Sequence, residues 1–334
     1  MHTGKRYTPF EFFYWTRRIT FKLFLIAIVP TLLYSLGWKF ITIPWQPVAI
    51  LGTAVAFVVG FKNNASYGRI WEARQIYGSI INDSRSFAYT VRDIVGSKNN
   101  MDVKIIFYRH FAWLTCLRHQ LRESRTWENM DSMHNKEYLR KYRIPEKAEN
   151  LNEILKQLLS EQDYNYVITK KNKATQLVAM QSAAIANMYK ADKINDVAWK
   201  QLQECLIKFT DGQGRAERIK NFPYPRNFAS ITTYLLFIFV ISVPFTLLPE
   251  FNKLGLDTFL EGYSLWFNVP FCTMIMWVFV TLDVIGESSV NPFEGSSLDV
   301  PITQISRTIE IDMRDMLDET ELPPAIQPVN NIVL

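Results

Sequence analysis

The residues best suited to a chemical task lie along one apolar segment near the start of the chain. Thr53, Phe57 and Phe61 are spaced four residues apart, so a helix here would carry all three on one face. Several copies of such a face around a shared axis would form a hydrophobic constriction, which gates by dewetting. The alternative is ordinary helix packing, because aromatic stripes at helical spacing are most often part of a core.

A second stripe, made of small residues, lies beside the first. Gly52, Ala56 and Gly60 have the same spacing, one position earlier in the chain. Small residues at this spacing let membrane helices approach closely. The segment therefore predicts a helix that combines a close-packing side with a neighbouring row of aromatic rings.

Charged side chains follow this segment directly. Lys62, Arg69, Glu72 and Arg74 are predicted to form a charged girdle at the inner mouth of the constriction. Arg69 and Glu72 are three residues apart, which suits an intrahelical ion pair. Two interpretations stay open, a structural ion-pair girdle and direct contact with ions.

Two further carboxylates lie near the end of a later apolar segment. Asp283 and Glu287 are four residues apart, so they share a helix face and could bind a cation. The simpler interpretation is that both mark the boundary between apolar and aqueous surroundings.

Known catalytic and metal-binding patterns are absent from the sequence. It contains no P-loop, GxSxG, HExxH or paired CxxC motif, and its three cysteines are far apart. None of the four histidines lies at metal-ligand spacing from carboxylates. We therefore expect neither an enzyme nor a bound metal or cofactor. The net charge of +5 arises from interleaved basic and acidic residues, which does not indicate a nucleic-acid partner.

Four apolar windows are long enough to cross a lipid bilayer as helices, which requires about 20 residues each. They cover residues 19–38, 44–61, 228–248 and 263–285, the last of them interrupted by Asn268 and Pro270. Tryptophan and tyrosine residues cluster near the ends of these windows, as they do at membrane interfaces. The windows predict an integral membrane protein.

The polar middle of the chain has helical periodicity. Helices are predicted over residues 104–124, 151–162, 170–190 and 197–210, so the predicted fold class is all-α. Pro223 and Pro225 cannot both lie in a helix interior, and they predict a rigid elbow before the third apolar window.

The distribution of charge predicts the orientation of these spans. Basic residues outnumber acidic ones before the first span, whereas the loop between the third and fourth spans is mainly acidic. The positive-inside rule then places both termini in the cytoplasm. The predicted organisation is a cytoplasmic N-terminal arm (1–18), two transmembrane helices (19–61), a cytoplasmic helical region (62–222), two further transmembrane helices (223–285) and a cytoplasmic C-terminal segment (286–334).

Three blocks of sequence stand out in this arrangement. They are Gly60-Phe61-Lys62-Asn63-Asn64 with the charged residues after it, the elbow from Glu217-Arg218-Ile219 to Pro225, and Asn291-Pro292-Phe293. Together they resemble the signature of bacterial members of the bestrophin family. The resemblance extends over about residues 8–320, nearly the whole chain.

The resemblance implies a homopentameric ion channel in the cell (inner) membrane, with the lipid bilayer and small inorganic ions as its partners. In the family the second span lines a narrow neck, which corresponds here to Thr53, Phe57 and Phe61. A second constriction, the cytoplasmic aperture, falls within residues 194–198, and Val197 is its expected residue.

The same resemblance implies passage of small monovalent ions, with chloride and other anions slightly favoured by family precedent. Two alternatives stay open: a sodium channel of the same fold, and a non-conducting membrane scaffold or sensor.

The chain departs from the family pattern in two places. Animal members carry a run of acids after Asn-Pro-Phe that binds calcium, whereas the corresponding stretch here holds only Glu294 and Asp299. Calcium takes six to eight oxygen ligands, so we expect no calcium clasp. Thr53 is polar where relatives tend to be aliphatic, and its hydroxyl would ease wetting at the outer end of the neck.

Overall fold

The structure of the protein is a computed structural model that describes residues 1–96, 101–254 and 261–334, except the side chains at positions 133 and 134. Within those ranges the ordered elements are α-helices, short 3₁₀ turns and two isolated β-bridges, so the predicted all-α fold class is confirmed there. The α-helices are, in chain order, α1 (Pro9–Ser35), α2 (Trp45–Val95), α3 (Met101–Arg122), α4 (Met133–Tyr138), α5 (Pro145–Ala148), α6 (Leu151–Leu158), α7 (Glu161–Ile168), α8 (Lys173–Lys190), α9 (Asp196–Asn221), α10 (Arg226–Leu254), α11 (Asn268–Ser289) and α12 (Ile302–Met316).

The chain divides into two compact units. The apolar unit comprises residues 4–68 and 223–290, and the polar unit comprises residues 1–3, 69–222 and 291–334. Helix α2 contributes its first part to the apolar unit and its remainder to the polar unit. Each unit has its own hydrophobic core.

Four helices, α1, α2, α10 and α11, are long and apolar enough to cross a membrane. Each overlaps one of the predicted spans. Helix α1 begins at Pro9, before the predicted start, because Thr8 and Glu11 form a capping box that stabilises its first turn. Helix α11 begins at Asn268 after a 3₁₀ turn, so Asn268 and Pro270 start this helix and do not interrupt it as the sequence suggested.

A buried polar cluster joins three helices of the apolar unit. The Asn268 side-chain nitrogen donates to Thr31 Oγ1 at 2.9 Å and to the Pro244 carbonyl at 3.2 Å. The Cys272 thiol donates to Asn268 Oδ1 at 3.1 Å. Buried hydrogen bonds between apolar helices satisfy groups that have no water partner, so this cluster fixes α1, α10 and α11 relative to one another.

The polar unit is built around α2, α3, α8, α9 and α12, and its core contains several large aromatic rings. His110 lies in this core, with Nε2 at 2.9 Å from Ser84 Oγ and its ring against Phe209 and Trp113. Burial lowers the pKa of His110 to about 3, so its imidazole is neutral at physiological pH. His110 is therefore a packed core residue.

The predicted helices of the polar unit overlap helices of the structure, with two departures. The single helix predicted over residues 151–162 is wrong: α6 and α7 are separate, because the Ser160 hydroxyl accepts a hydrogen bond from Asp163 N and starts α7. Helix α9 continues past the predicted residue 210 to Asn221, so the block before the elbow is helical. The break itself lies where Pro223 and Pro225 predict it, between α9 and α10.

Candidate pore-lining site

The aromatic stripe of α2 lies on an uncovered side of the protomer. Phe57 is 64% exposed and Phe61 is 70% exposed. Their rings stack with centroids 6.4 Å apart. Thr53 is exposed as well, and its hydroxyl donates to the Ala49 carbonyl at 3.0 Å. The three side chains thus form a continuous row that no other part of the described protomer covers.

The opposite side of α2 explains this orientation. Val55 and Val59 are buried in the core of the apolar unit. Gly52 lies so close to the neighbouring helix that a Cβ there would stand 2.8 Å from the Phe239 ring. Since successive helical residues are about 100° apart, a helix that buries these positions turns Phe57 and Phe61 outwards.

The small-residue stripe is divided between two surroundings. Gly52 packs within the protomer, whereas Ala56 is exposed and a Cβ at Gly60 would meet nothing within 4 Å. Only the first of the three small residues therefore serves helix packing inside one chain. The other two lie beside the phenylalanines on the uncovered side.

The charge of Lys62 is buried, although the sequence suggested a place at an open mouth. The Lys62 side chain is 2% exposed, and its Nζ lies 2.9 Å from Asp283 Oδ1 and 2.7 Å from Glu287 Oε2. The two carboxylates of α11 therefore hold a cation that belongs to the chain itself. Neither sequence interpretation of Asp283 and Glu287 included this lysine, because nothing in the pattern links positions 221 residues apart.

Side chains of α2 lie against the backbone of α11 beside this cluster. An ideal Cβ on Gly286 would stand 2.0 Å from Asn63 Oδ1, so a larger residue there would force the Asn63 side chain to move. The Lys62 side chain is also in contact range of that position, with Cγ at 3.7 Å. The absence of a side chain at Gly286 thus leaves room for Asn63 and Lys62 next to the two carboxylates.

The other three residues of the predicted girdle belong to the polar unit. The Arg69 guanidinium donates to the Ile219 carbonyl at 2.9 Å, and Glu72 forms an ion pair with Arg218. These partners on α9 tie two helices together, an arrangement that the predicted intrahelical pair did not include. Arg74 has an exposed side chain.

The predicted aperture segment contains one exposed apolar side chain. Asn195 caps α9 by accepting a hydrogen bond from Ala198 N, and this places Val197 in the first turn. Val197 is 74% exposed, whereas Ile194 and Ala198 are buried. Its role at a constriction stays a prediction.

The loop after Asn-Pro-Phe uses its two carboxylates internally. Asp299 accepts a hydrogen bond from Arg122 at 2.8 Å. It also accepts hydrogen bonds from the Gly295 backbone N–H and the Ser296 hydroxyl, at 2.6 Å each. Glu294 accepts from Asn129 N at 3.0 Å. Among the described residues, no group of three or more histidine, cysteine or acidic side chains is arranged to hold a metal ion.

Glu294 is the most strongly perturbed acid of this loop. Burial, and secondarily the nearby Asp299 charge, raise the pKa of Glu294 from 4.5 to about 8. Its Oε1 is buried and accepts no hydrogen bond from the described residues. The carboxyl group is therefore protonated in the folded protein at neutral pH.

The protonation of Glu294 predicts a pH-dependent stability. Between pH 4.5 and about 8 the folded protein holds a proton that the unfolded chain has released. The contribution of Glu294 to the free energy of unfolding therefore decreases as pH rises through that range. The variant Glu294→Gln should lack this loss. Its unfolding midpoint relative to wild type should increase by about 5 °C between pH 5 and pH 9.

The comparison with wild type at each pH is essential, because burial lowers the pKa values of His110 and the Met1 amino group and these groups act in the opposite sense. A difference between the two proteins that stays constant with pH would contradict the assignment.

Comparison with known proteins identifies relatives over nearly the whole chain. The family model described as Bacterial/Fungal Bestrophin protein matches residues 15–315. The Voltage-dependent anion channel-forming protein YneE of Escherichia coli (strain K12) is 27% identical over 309 residues, which cover 92% of this chain and 87% of that protein. The Voltage-dependent anion channel-forming protein RSc3414 of Ralstonia nicotianae is 23% identical, with 90% and 87% of the two chains covered.

A solved structure shares the fold. The crystal structure of a bacterial Bestrophin homolog from Klebsiella pneumoniae matches with a TM-score of 0.74 at 20% identity, covering 90% of this chain and 98% of that chain. The family resemblance predicted from the three sequence blocks is thus confirmed.

Proposed function

This chain belongs to the bacterial and fungal bestrophin family, and we propose that it forms a homopentameric channel for small monovalent anions such as chloride. The observation that carries the proposal is the exposed, stacked pair Phe57 and Phe61 on α2. Five copies of this helix around an axis would enclose a neck lined by Thr53, Phe57 and Phe61. The relatives' names support anions as the permeating ions.

The composition of the uncovered side of α2 indicates that this side faces a shared axis and not the lipid. A lipid-facing row needs only bulky aliphatic side chains, whereas this row contains the hydroxyl of Thr53 and the small Ala56 and Gly60. Small residues beside large rings allow neighbouring copies of α2 to approach closely. The rings of Phe57 and Phe61 then form the narrowest, least wettable part of the neck.

Ion choice follows from the chemistry of this lining. Phenyl rings present positive edges and negative faces, so edges turned towards the axis would stabilise an anion that has lost part of its hydration shell. The neck side chains carry no formal charge. Anion preference in this proposal therefore rests on ring orientation and on the relatives, since the ammonium of Lys62 is paired with carboxylates.

A sodium channel of the same fold is the second candidate. The cluster of Lys62, Asp283 and Glu287 has two carboxylates for one ammonium, and this excess of negative charge favours cations. Reversal potentials of the purified protein in asymmetric sodium chloride distinguish the candidates. A reversal potential near the chloride equilibrium potential supports the first proposal, and one near the sodium potential replaces it with the second.

We further propose that the channel lies in the inner membrane with both termini cytoplasmic, as the charge distribution predicts. The N-terminal arm and the helical region would then share one compartment, and Val197 would line a cytoplasmic aperture.

Substitution of the neck phenylalanines tests the pore directly. Phe57→Ala and Phe61→Ala should each raise chloride efflux from liposomes about tenfold, since removing a ring widens the neck and lowers the dewetting barrier by about 1.4 kcal/mol. Phe21→Ala is a matched control, because Phe21 is a similarly exposed phenylalanine on α1. A wild-type protein and variants that all fail to conduct would identify a scaffold or sensor.

Calcium should have no effect on this conductance. Glu294 and Asp299 are buried and accept hydrogen bonds within the protein, and two acidic side chains supply too few oxygen ligands for calcium. Currents through purified channels are expected to be equal in calcium-free and millimolar-calcium solutions. A reproducible rise on adding calcium would reverse this part of the proposal.

A further inference from the structure

We propose that Lys62, Asp283 and Glu287 form a fixed-charge element behind the wall of the neck, and that its formal charge shifts the balance between anion and cation permeation. This inference rests on the proposed function, because it assumes that Phe61 faces a permeation path. Lys62 would act on the passing ion through the electric field of its charge, without touching the ion.

The location of the cluster is the first argument. Lys62 follows Phe61 directly, so the two residues differ by about 1.5 Å in height and about 100° around the helix. The ring is 70% exposed, and the ammonium is buried on an adjoining side of the same turn. Fixed charges at this level lie within about one helix diameter of an ion passing the ring.

The surroundings of the cluster increase the distance over which its charge acts. Coulomb interactions are strong where the effective dielectric constant is low, as it is beside an apolar constriction. An ion in a hydrophobic neck has lost part of its water shell and has no side-chain charge next to it. The net charge of each cluster, multiplied by the number of subunits, then contributes directly to the difference between anion and cation barriers.

Stability alone does not account for the cluster. A buried ion pair is often no more stabilising than apolar residues of the same volume, because the charges lose their hydration. Here a buried lysine pairs with two acids, and the formal charges of these three side chains sum to −1. Gly286 leaves room beside the cluster for the Asn63 side chain of α2.

A series of variants graded in formal charge tests the proposal. The cluster carries −2 in Lys62→Met, −1 in wild type, 0 in Asp283→Asn and +1 in the double variant Asp283→Asn/Glu287→Gln. The chloride-to-sodium permeability ratio should rise along this series, by about threefold or more for each unit of charge. Lys22→Met, which removes an exposed lysine of α1, is the matched control and should leave the ratio unchanged.

The triple variant Lys62→Met/Asp283→Asn/Glu287→Gln separates charge from mechanical tethering. It has the same formal charge as Asp283→Asn but no ion pair between α2 and α11. Equal permeability ratios in these two variants support a fixed-charge element. A ratio that follows the presence of the ion pair, or one that ignores formal charge, overturns it.

The remaining outcomes are also decisive. If Lys62→Met fails to fold, wild type, Asp283→Asn and the double variant still test whether the permeability ratio rises as the formal charge goes from −1 to +1. A wild-type channel selective for sodium, with the order of the series preserved, contradicts anion preference but supports this inference. A wild type that conducts no ion overturns both.

Discussion

The packing of one narrow face of α2 against its own bundle determines the rest of the account. Val55 and Val59 are buried, and Gly52 brings the helix backbone against the Phe239 ring. When α2 is held in this rotation, it cannot also bury the aromatic side chains on its other side. Phe57 and Phe61 are consequently presented to whatever surrounds the protomer. The exposed rings leave water only if lipid or other copies of the chain cover them.

The charged residues after the aromatic stripe help to hold α2 in this rotation. Lys62 holds α2 to α11 through two carboxylates, and Arg69 and Glu72 hold α2 to α9 within the polar unit. A row of basic residues that looks like an attractive mouth for anions in the sequence is largely a set of helix-to-helix ties. In the proposed channel, selectivity would therefore depend less on direct contact with these side chains than on the fields of the paired charges and the orientation of the rings.

Local patterns in the sequence predict the helices well, and the reason is physical. Apolar windows and helical periodicity report on single elements, so the four candidate membrane helices and the common face of Thr53, Phe57 and Phe61 could be placed without a structure. The break between α6 and α7 was missed because one serine cap outweighs continuous periodicity. The partners of Lys62 and Glu72 could not be predicted, since each lies more than 140 residues away and depends on how the helices pack.

The central claim is that the uncovered face of α2 surrounds a shared axis, and a structure of the purified full-length chain in lipid nanodiscs tests it most directly. The account predicts a symmetric ring of subunits in which Phe57 and Phe61 of every copy point to the axis and form its narrowest region. Phenylalanines that face the lipid, or particles with a single copy of the chain, would contradict it.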